Sequence, residues 1–134
     1  MDTNQSKPQG EKINIVIIDD EADALELTDY FLKQIPEVDV LAKYDSPRKA
    51  LRGLKTMDAP PHIVFTDISM PEMDGIQLCR KIRCIHPEVQ FVFITAYNHF
   101  APYTQEIQPI GFLQKPVEAS ELHHSIKLFL ARKA

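Results

Sequence analysis

The chain has 134 residues, of which 44% are hydrophobic, and a net charge of −4. This length suits one domain around one core, and the acidic balance gives no reason to expect direct binding of nucleic acid. No apolar run approaches the about 20 residues that cross a bilayer, so we expect no membrane insertion. Residues 1–11 are polar and unlike a secretory signal. They predict a flexible N-terminal arm before a single domain at residues 12–132.

The two cysteines, Cys79 and Cys84, are five positions apart, which is neither a CxxC nor a zinc spacing. This spacing predicts two reduced, partly buried thiols rather than a metal or redox site. A cytoplasmic location is therefore expected.

The hydrophobic pattern predicts five strands that alternate with five helices. The run Ile13–Ile18 is apolar almost throughout, which is typical of a strand covered on both faces. Further strands are predicted at residues 38–44, 62–66, 91–95 and 110–113. The fourth helix, residues 98–107, is the weakest because Pro102 lies inside it. The fifth helix, residues 118–133, carries four apolar side chains on one side: Leu122, Ile126, Phe129 and Leu130.

This alternation of apolar strands and amphipathic helices is typical of an α/β fold. It predicts a parallel sheet with right-handed crossovers and helices on both faces. In such sheets, ligands bind outside the carboxyl ends of the strands. Polar residues at those ends are therefore the candidates for function.

Asp67 is the central candidate, because a short buried strand runs directly into it and a sharp loop with Met70-Pro71 and Asp74-Gly75 follows. Four more polar residues follow other strands: Asp19 and Asp20 after the first, Thr95 at the end of the fourth and Lys115 after the fifth. In a parallel sheet these positions share one edge. Taken singly, each aspartate is more often a cap and the lysine is usually solvated, so the prediction depends on the whole set.

Three carboxylates in one place repel each other unless a cation lies among them. Mg²⁺ suits such a site because it binds one or two carboxylates, keeps waters and accepts phosphate oxygens. Asp67 could then attack a phosphoryl group in line, while Lys115 neutralises its oxygens and the Thr95 hydroxyl donates to one of them. The pattern thus predicts phosphoryl chemistry at Asp67.

The ordered set of motifs resembles the response-regulator receiver domain of two-component signalling. The motifs are Ile17-Ile18-Asp19-Asp20-Glu21, Phe65-Thr66-Asp67, Met70-Pro71, Met73-Asp74-Gly75, Phe93-Ile94-Thr95-Ala96 and Lys115-Pro116. The resemblance covers residues 12–132, nearly the whole chain. It implies a flavodoxin-like, doubly wound sheet with strand order 2-1-3-4-5.

The resemblance also implies a role for each residue of the acidic site. Asp67 matches the phospho-accepting aspartate. Asp20 matches the direct Mg²⁺ ligand, and Asp19 matches the acid that usually acts through water. Asp67 and the backbone carbonyl of Ser69 would complete the protein ligands of the metal.

Further roles concern switching and the lifetime of the phosphate. Thr95 and Lys115 match the pair that contacts the phosphoryl group, and Thr95 and Phe112 match the switch residues. Ser69 and Tyr97 lie at the two loop positions that tune phosphate loss. The bulk of Tyr97 would shade the acyl phosphate from water, so slower hydrolysis is expected than in a Tyr97→Ala variant.

The expected partners are a histidine kinase or phosphotransfer protein upstream, and a downstream protein or an output domain. Phosphorylation-dependent dimerisation through the face of the fourth helix, fifth strand and fifth helix is a further expectation. The protein is interpreted as a regulatory domain that slowly loses its own phosphate, not as an enzyme. Three alternatives remain: a receiver fragment of a longer regulator, a small Mg²⁺-dependent phosphohydrolase, and a pseudo-receiver that serves only as an interaction module.

Overall fold

The structure is a computed structural model that describes residues 12–96 and 102–133. Strands and helices alternate along the described chain, as the sequence predicts. The strands are β1 (Ile13–Ile18), β2 (Val38–Tyr44), β3 (Ile63–Asp67), β4 (Gln90–Thr95) and β5 (Gly111–Gln114). The helices are α1 (Ala22–Lys33), α2 (Pro47–Lys55), α3 (Gly75–Ile85), a 3₁₀ helix (Pro102–Ile107) and α4 (Ala119–Lys133).

All five strands are parallel and lie in the order β2-β1-β3-β4-β5, which confirms the flavodoxin-like arrangement. Helices cover both faces of the sheet. Apolar side chains of α1 and α4 pack on one face, among them Leu25, Leu32, Leu122 and Ile126. Apolar side chains of α2 and α3 pack on the other face, among them Ala50, Leu54, Leu78 and Ile82. The central strands are buried on both faces, which explains their continuous apolar character.

Two helices begin at side-chain caps that their sequences specify. The Ser46 hydroxyl accepts a hydrogen bond from the Lys49 N–H at 3.2 Å, and Pro47 follows as the first residue of α2. Asp74 caps α3 in a capping box with Gln77, each side chain accepting from the backbone of the other. The cap of α3 fixes where the loop after β3 ends.

Strand β2 contains an extra residue, Leu41, that has no partner on β1. The insertion reverses the face of the sheet on which each of the following side chains lies. Val40 packs on the side of α1, whereas Tyr44, four residues later, packs on the side of α2 and α3. Lys43 consequently faces α1, where its Nζ lies 2.8 Å from a carboxylate oxygen of Asp29. Strict alternation along the strand would have placed Val40 and Tyr44 on one face.

The exposure of Leu130 and of the two cysteines corrects expectations drawn from the sequence. Leu130 is 45% exposed and does not belong to the buried side of α4. At about 100° per residue it is turned about 80° away from Leu122, beyond the stripe that contacts the core. Cys79 is fully buried and Cys84 is exposed, so neither thiol is partly buried as expected.

The fourth helix differs from its expected form. The sequence predicts it at residues 98–107, and the described part is a 3₁₀ helix that begins at Pro102. Residues 97–101 lie outside the described chain. Proline lacks the N–H that a residue inside a helix donates, so it is favoured in a first helical turn. Among the described residues, no helix has the length and apolar character needed to cross a lipid bilayer.

Candidate functional site

The polar residues singled out from the sequence lie at one edge of the sheet, where the strands end. Asp19 directly follows β1, Asp67 ends β3 and Thr95 ends β4. Lys115 follows β5, and its N–H donates to the Thr95 carbonyl at 2.8 Å. Because β1, β3, β4 and β5 are consecutive neighbours in the sheet, these residues meet although they are far apart in sequence. Ligand sites in parallel sheets form at this edge.

The backbone around Asp67 is held by close contacts within its own loop. The Ser69 N–H donates to Asp67 Oδ1 at 3.1 Å. The Gly75 N–H donates to the Ile68 carbonyl at 2.7 Å. A Cβ atom at Gly75 would lie 2.3 Å from the Asp67 carbonyl oxygen, closer than real side chains approach. Glycine is therefore required where α3 begins against the end of β3.

Three carboxylates form a cluster at the centre of the site. Asp19, Asp20 and Asp67 each offer an oxygen, and these oxygens all lie within 4.8 Å of one another. Asp19 and Asp67 are buried, whereas Asp20 is exposed. Burial raises the pKa of Asp19 above its ordinary value, and hydrogen bonds from the Glu21 N–H and from Lys115 offset only part of that effect. The cluster thus concentrates negative charge in a partly buried pocket.

Lys115 is the cation that the structure places against these carboxylates. Its Nζ lies 2.9 Å from Asp67 Oδ2 and 3.0 Å from Asp19 Oδ2, and it also donates to the Glu21 carboxylate. Burial alone would lower the pKa of Lys115, but the three carboxylates together outweigh it and raise that pKa. The ammonium therefore stays charged in contact with Asp67.

The donor set fits a divalent cation such as Mg²⁺. Asp19 Oδ2 is buried and accepts no hydrogen bond of good geometry within the described chain, although the Lys115 ammonium lies 3.0 Å away. Each carboxylate oxygen has two lone pairs, so Asp19 Oδ2 could bind a metal ion beside the Lys115 ammonium. Hard oxygen ligands at this spacing suit Mg²⁺. The role of the Ser69 carbonyl stays a prediction, since the contact described for Ser69 is made by its N–H.

The expected switch residues lie on β4 and β5, the strands that follow β3 in the sheet. Thr95 is buried at the end of β4. Phe112 is half-buried on β5 and stacks on Phe93, with ring centroids 5.5 Å apart. Lys115 connects the two strands through its backbone bond to Thr95. Tyr97, the expected tuning residue, lies outside the described residues.

Glu21 is a contact of the site that the sequence did not reveal. It stands in the acidic run after β1, and its carboxylate binds Lys115 from the exposed side of the pocket. That ammonium lowers the pKa of Glu21 below its ordinary value. An acid before a helix is ordinarily interpreted as a favourable charge at the helix N-terminus. Only the strand order shows that a lysine 94 positions away reaches it.

An apolar groove of about 560 Å³ adjoins the acidic cluster, between the start of α1 and the turn after β5. Most of its wall is formed by small or apolar side chains: Ala22, Ala24, Leu27, Ile94, Ala96, Pro116 and Val117. Its polar lining residues are Glu21, Asp23, Thr28 and Lys115. Lys115 therefore lines this groove and also contacts Asp67 in the acidic cluster.

A family model and several curated relatives match this chain. The family model described as the response regulator receiver domain matches residues 15–127. The sensory transduction protein LytT of Bacillus cereus is 26% identical over 121 residues, which are 90% of this chain and 48% of that protein. The chain spans about half the length of LytT and of the similar curated relatives that it matches.

Solved receiver structures have the same fold. The isolated REC domain of RcsB from Salmonella enterica serovar Typhimurium, solved in the presence of phosphomimetic BeF3−, is 25% identical with a TM-score of 0.75, over 87% of this chain and 86% of that one. A response regulator receiver domain protein from Clostridium thermocellum is 27% identical with a TM-score of 0.77, over 90% of this chain and 95% of that one.

Proposed function

The chain belongs to the response regulator receiver domain family, and from this premise we propose that Asp67 accepts a phosphoryl group in a phosphorelay. The receiver domain would comprise residues 12–132, after an N-terminal arm at residues 1–11. One observation carries the proposal: Lys115 Nζ lies 2.9 Å from Asp67 Oδ2, inside a cluster that also contains Asp19 and Asp20. Cap requirements alone do not explain a half-buried ammonium at that oxygen.

The transfer itself is a displacement at phosphorus. An oxygen of Asp67 attacks the phosphorus of a phosphohistidine in line, the P–N bond breaks, and the imidazole leaves with the electron pair. Lys115 neutralises charge on the phosphoryl oxygens and holds the nucleophile in position. The Thr95 hydroxyl would donate to one of those oxygens. Asp19, Asp20, Asp67 and the Ser69 carbonyl would hold Mg²⁺, which supplies further neutralisation when it is bound.

The upstream partner would be a histidine kinase or a phosphotransfer protein. The apolar groove between α1 and the turn after β5 supports this proposal, because it is lined by Lys115, which contacts Asp67, and because it can bury apolar side chains of a docking helix. Its lining contains Lys115, so that a helix seated there would bring its phosphohistidine to the reacting oxygen. A protein that receives its phosphate from such a kinase would be cytoplasmic.

The output would be a change in the shape of one face. Phosphate on Asp67 would draw Thr95 toward it and let Phe112 move inward. These movements would shift the population between two conformations of the face formed by the 3₁₀ helix, β5 and α4. This face would bind a downstream protein, an output domain or a second phosphorylated copy. A receiver that forms part of a longer regulator would use the same face. The domain would thus regulate rather than catalyse, and it would slowly lose its own phosphate.

Phosphate uptake from acetyl phosphate tests the proposal. We expect the chain with Mg²⁺ to gain one phosphoryl group, measured by intact-protein mass, and the Asp67→Asn variant to gain none. Asp74→Asn is the matched control: it removes a carboxylate from the same loop, and asparagine can still cap α3. The control should take up phosphate like the unmodified chain. Retained aspartyl phosphate in Asp67→Asn would refute the proposal, and steady turnover of small phosphate esters would favour a phosphohydrolase instead.

A further inference from the structure

A groove runs between α2 and α3 on the sheet face opposite α1 and α4. Three adjoining cavities form it, with volumes of about 370, 340 and 420 Å³. The first and second share Arg48, Arg52 and Glu72, and the second and third share Glu72 and Met73. These shared walls make one continuous surface, which we name the α2–α3 groove. One end of the groove reaches Asp20 of the acidic cluster.

The rim of the α2–α3 groove is basic in a chain that is acidic as a whole. Six exposed cations line it: Arg48, Lys49, Arg52, Lys55, Arg80 and Lys81. They are six of the 15 lysines and arginines of a chain with net charge −4. The acids that line the groove are three: Asp20, Asp45 and Glu72. Positive charge is therefore concentrated on this face, and it favours an anionic occupant.

Half of these cations form an ion pair with a described residue. Three ion pairs occur at the groove, Arg48 with Glu72, Lys49 with Asp45 and Arg80 with Glu106. Arg52, Lys55 and Lys81 form no ion pair within the part of the chain that the structure describes. These three can pair with carboxylates from outside without breaking an existing contact.

The floor of the groove is apolar. Leu51 of α2 and Met73 of the loop before α3 are half-buried and pack on the core beneath the two helices. Methionine adapts its shape to a binding partner more readily than other apolar side chains. An occupant could thus bury one or two apolar side chains between rows of cations.

We propose that the α2–α3 groove binds an acidic, amphipathic segment of a partner protein. Its carboxylates would pair with Arg52, Lys55 and Lys81, and its apolar side chains would contact Leu51 and Met73, as in other helix-in-groove complexes. The groove suits nucleic acid less well. No described residue that lines it is aromatic, so bases would find no stacking surface.

Fluorescence anisotropy of the full chain tests this proposal. The probe is a labelled peptide of glutamate and leucine with leucines at helical spacing. A peptide of the same length and charge, with serine in place of leucine, reports the apolar contribution. Combined Arg52→Ala, Lys55→Ala and Lys81→Ala should weaken binding of the leucine peptide at least about tenfold at low salt.

The matched control removes three exposed cations outside the groove, Lys12→Ala, Lys127→Ala and Arg132→Ala in one chain. Both triple variants lose the same net charge, so the control should bind the leucine peptide within about twofold of the unmodified chain. Thermal unfolding establishes that both variants are folded. Equal weakening in the two triple variants would overturn the proposal, because attraction would then depend on net charge and not on this groove.

Glu72 provides a second test in the opposite direction. Its carboxylate lines all three cavities and would repel an acidic occupant. Glu72→Gln should therefore bind the leucine peptide more tightly, by about twofold or more. Unchanged or weaker binding would contradict the assigned position of the peptide. Equal affinity for the serine peptide, or tighter binding of a single-stranded oligonucleotide, would also overturn the proposal.

Discussion

Replacement of Gly75 by alanine should destabilise the fold at the point where α3 meets the end of β3. The new Cβ would lie 2.3 Å from the Asp67 carbonyl oxygen and 2.9 Å from the Ile68 Cα. Both neighbours are backbone atoms, which cannot rotate away as a flexible side chain would. Either α3 or the strand end must therefore move.

The magnitude follows from two unfavourable effects and one favourable effect. Overpacking against fixed atoms costs about 1–3 kcal/mol, and loss of the hydrogen bond from Gly75 N–H to the Ile68 carbonyl costs about 1 kcal/mol more. Alanine recovers up to about 1 kcal/mol through its higher helix propensity. The free energy of unfolding should thus fall by about 1–3 kcal/mol.

Urea unfolding measures this change, and Gly111→Ala is the matched control. A Cβ at Gly111 would meet no atom within 4 Å, so its free energy of unfolding should change by less than about 0.5 kcal/mol. Phosphate uptake should slow in the Gly75 variant, since a shift of the strand end moves Asp67. Equal stability of the two variants would refute the packing explanation, and unchanged uptake in a destabilised Gly75 variant would refute the link to Asp67.

Three further predictions concern the acidic groups, the lysine and the phosphate lifetime. Burial alone would raise the pKa of Asp29, but hydrogen bonds from Lys43 and Lys33 outweigh it and hold that pKa below its ordinary value. A lowered pKa gives stability that is present above the ordinary value and lost as pH falls below it. Asp29→Asn should therefore lose less unfolding free energy than the unmodified chain when urea unfolding is compared at about pH 5 and pH 3; an equal loss would contradict this. Lys115→Met removes a cation that competes with Mg²⁺ for the acidic cluster, so Mg²⁺ should bind about tenfold more tightly, as measured by calorimetry. Weaker binding would contradict a Mg²⁺ site at this cluster. Tyr97→Ala should shorten the lifetime of the phosphorylated protein, followed by mass, and equal lifetimes would exclude shading by Tyr97.

The fold could be predicted from the sequence because its strands are unusually uniform. A run such as Ile13–Ile18 is interrupted by few polar residues, and strands of that kind occur in parallel sheets covered on both faces. The break at Leu41 could not be predicted in this way. Val40, Ala42 and Tyr44 alternate like an ordinary strand, and only the pairing with β1 shows that one residue is inserted. Register depends on the partner strand, which a single segment does not specify.

The site was predictable as a set of positions and less so as a set of contacts. Asp19, Asp67 and Lys115 follow from the rule that the carboxyl ends of parallel strands meet at one edge. The bond from Lys115 to Glu21 does not follow, because it depends on how far a flexible side chain reaches across two strands. Leu130 was misjudged for a related reason: helical spacing defines a stripe, but the neighbouring layer decides how wide that stripe is.

The most direct test of the central claim identifies the phosphorylated atom. The chain is phosphorylated with acetyl phosphate and Mg²⁺, reduced with borohydride, digested and sequenced by mass spectrometry. Borohydride converts an aspartyl phosphate to homoserine, so we expect homoserine at position 67 and unmodified aspartate at positions 19, 20 and 74. Homoserine at another aspartate, or phosphate retained on a serine or histidine with Asp67 intact, would contradict it.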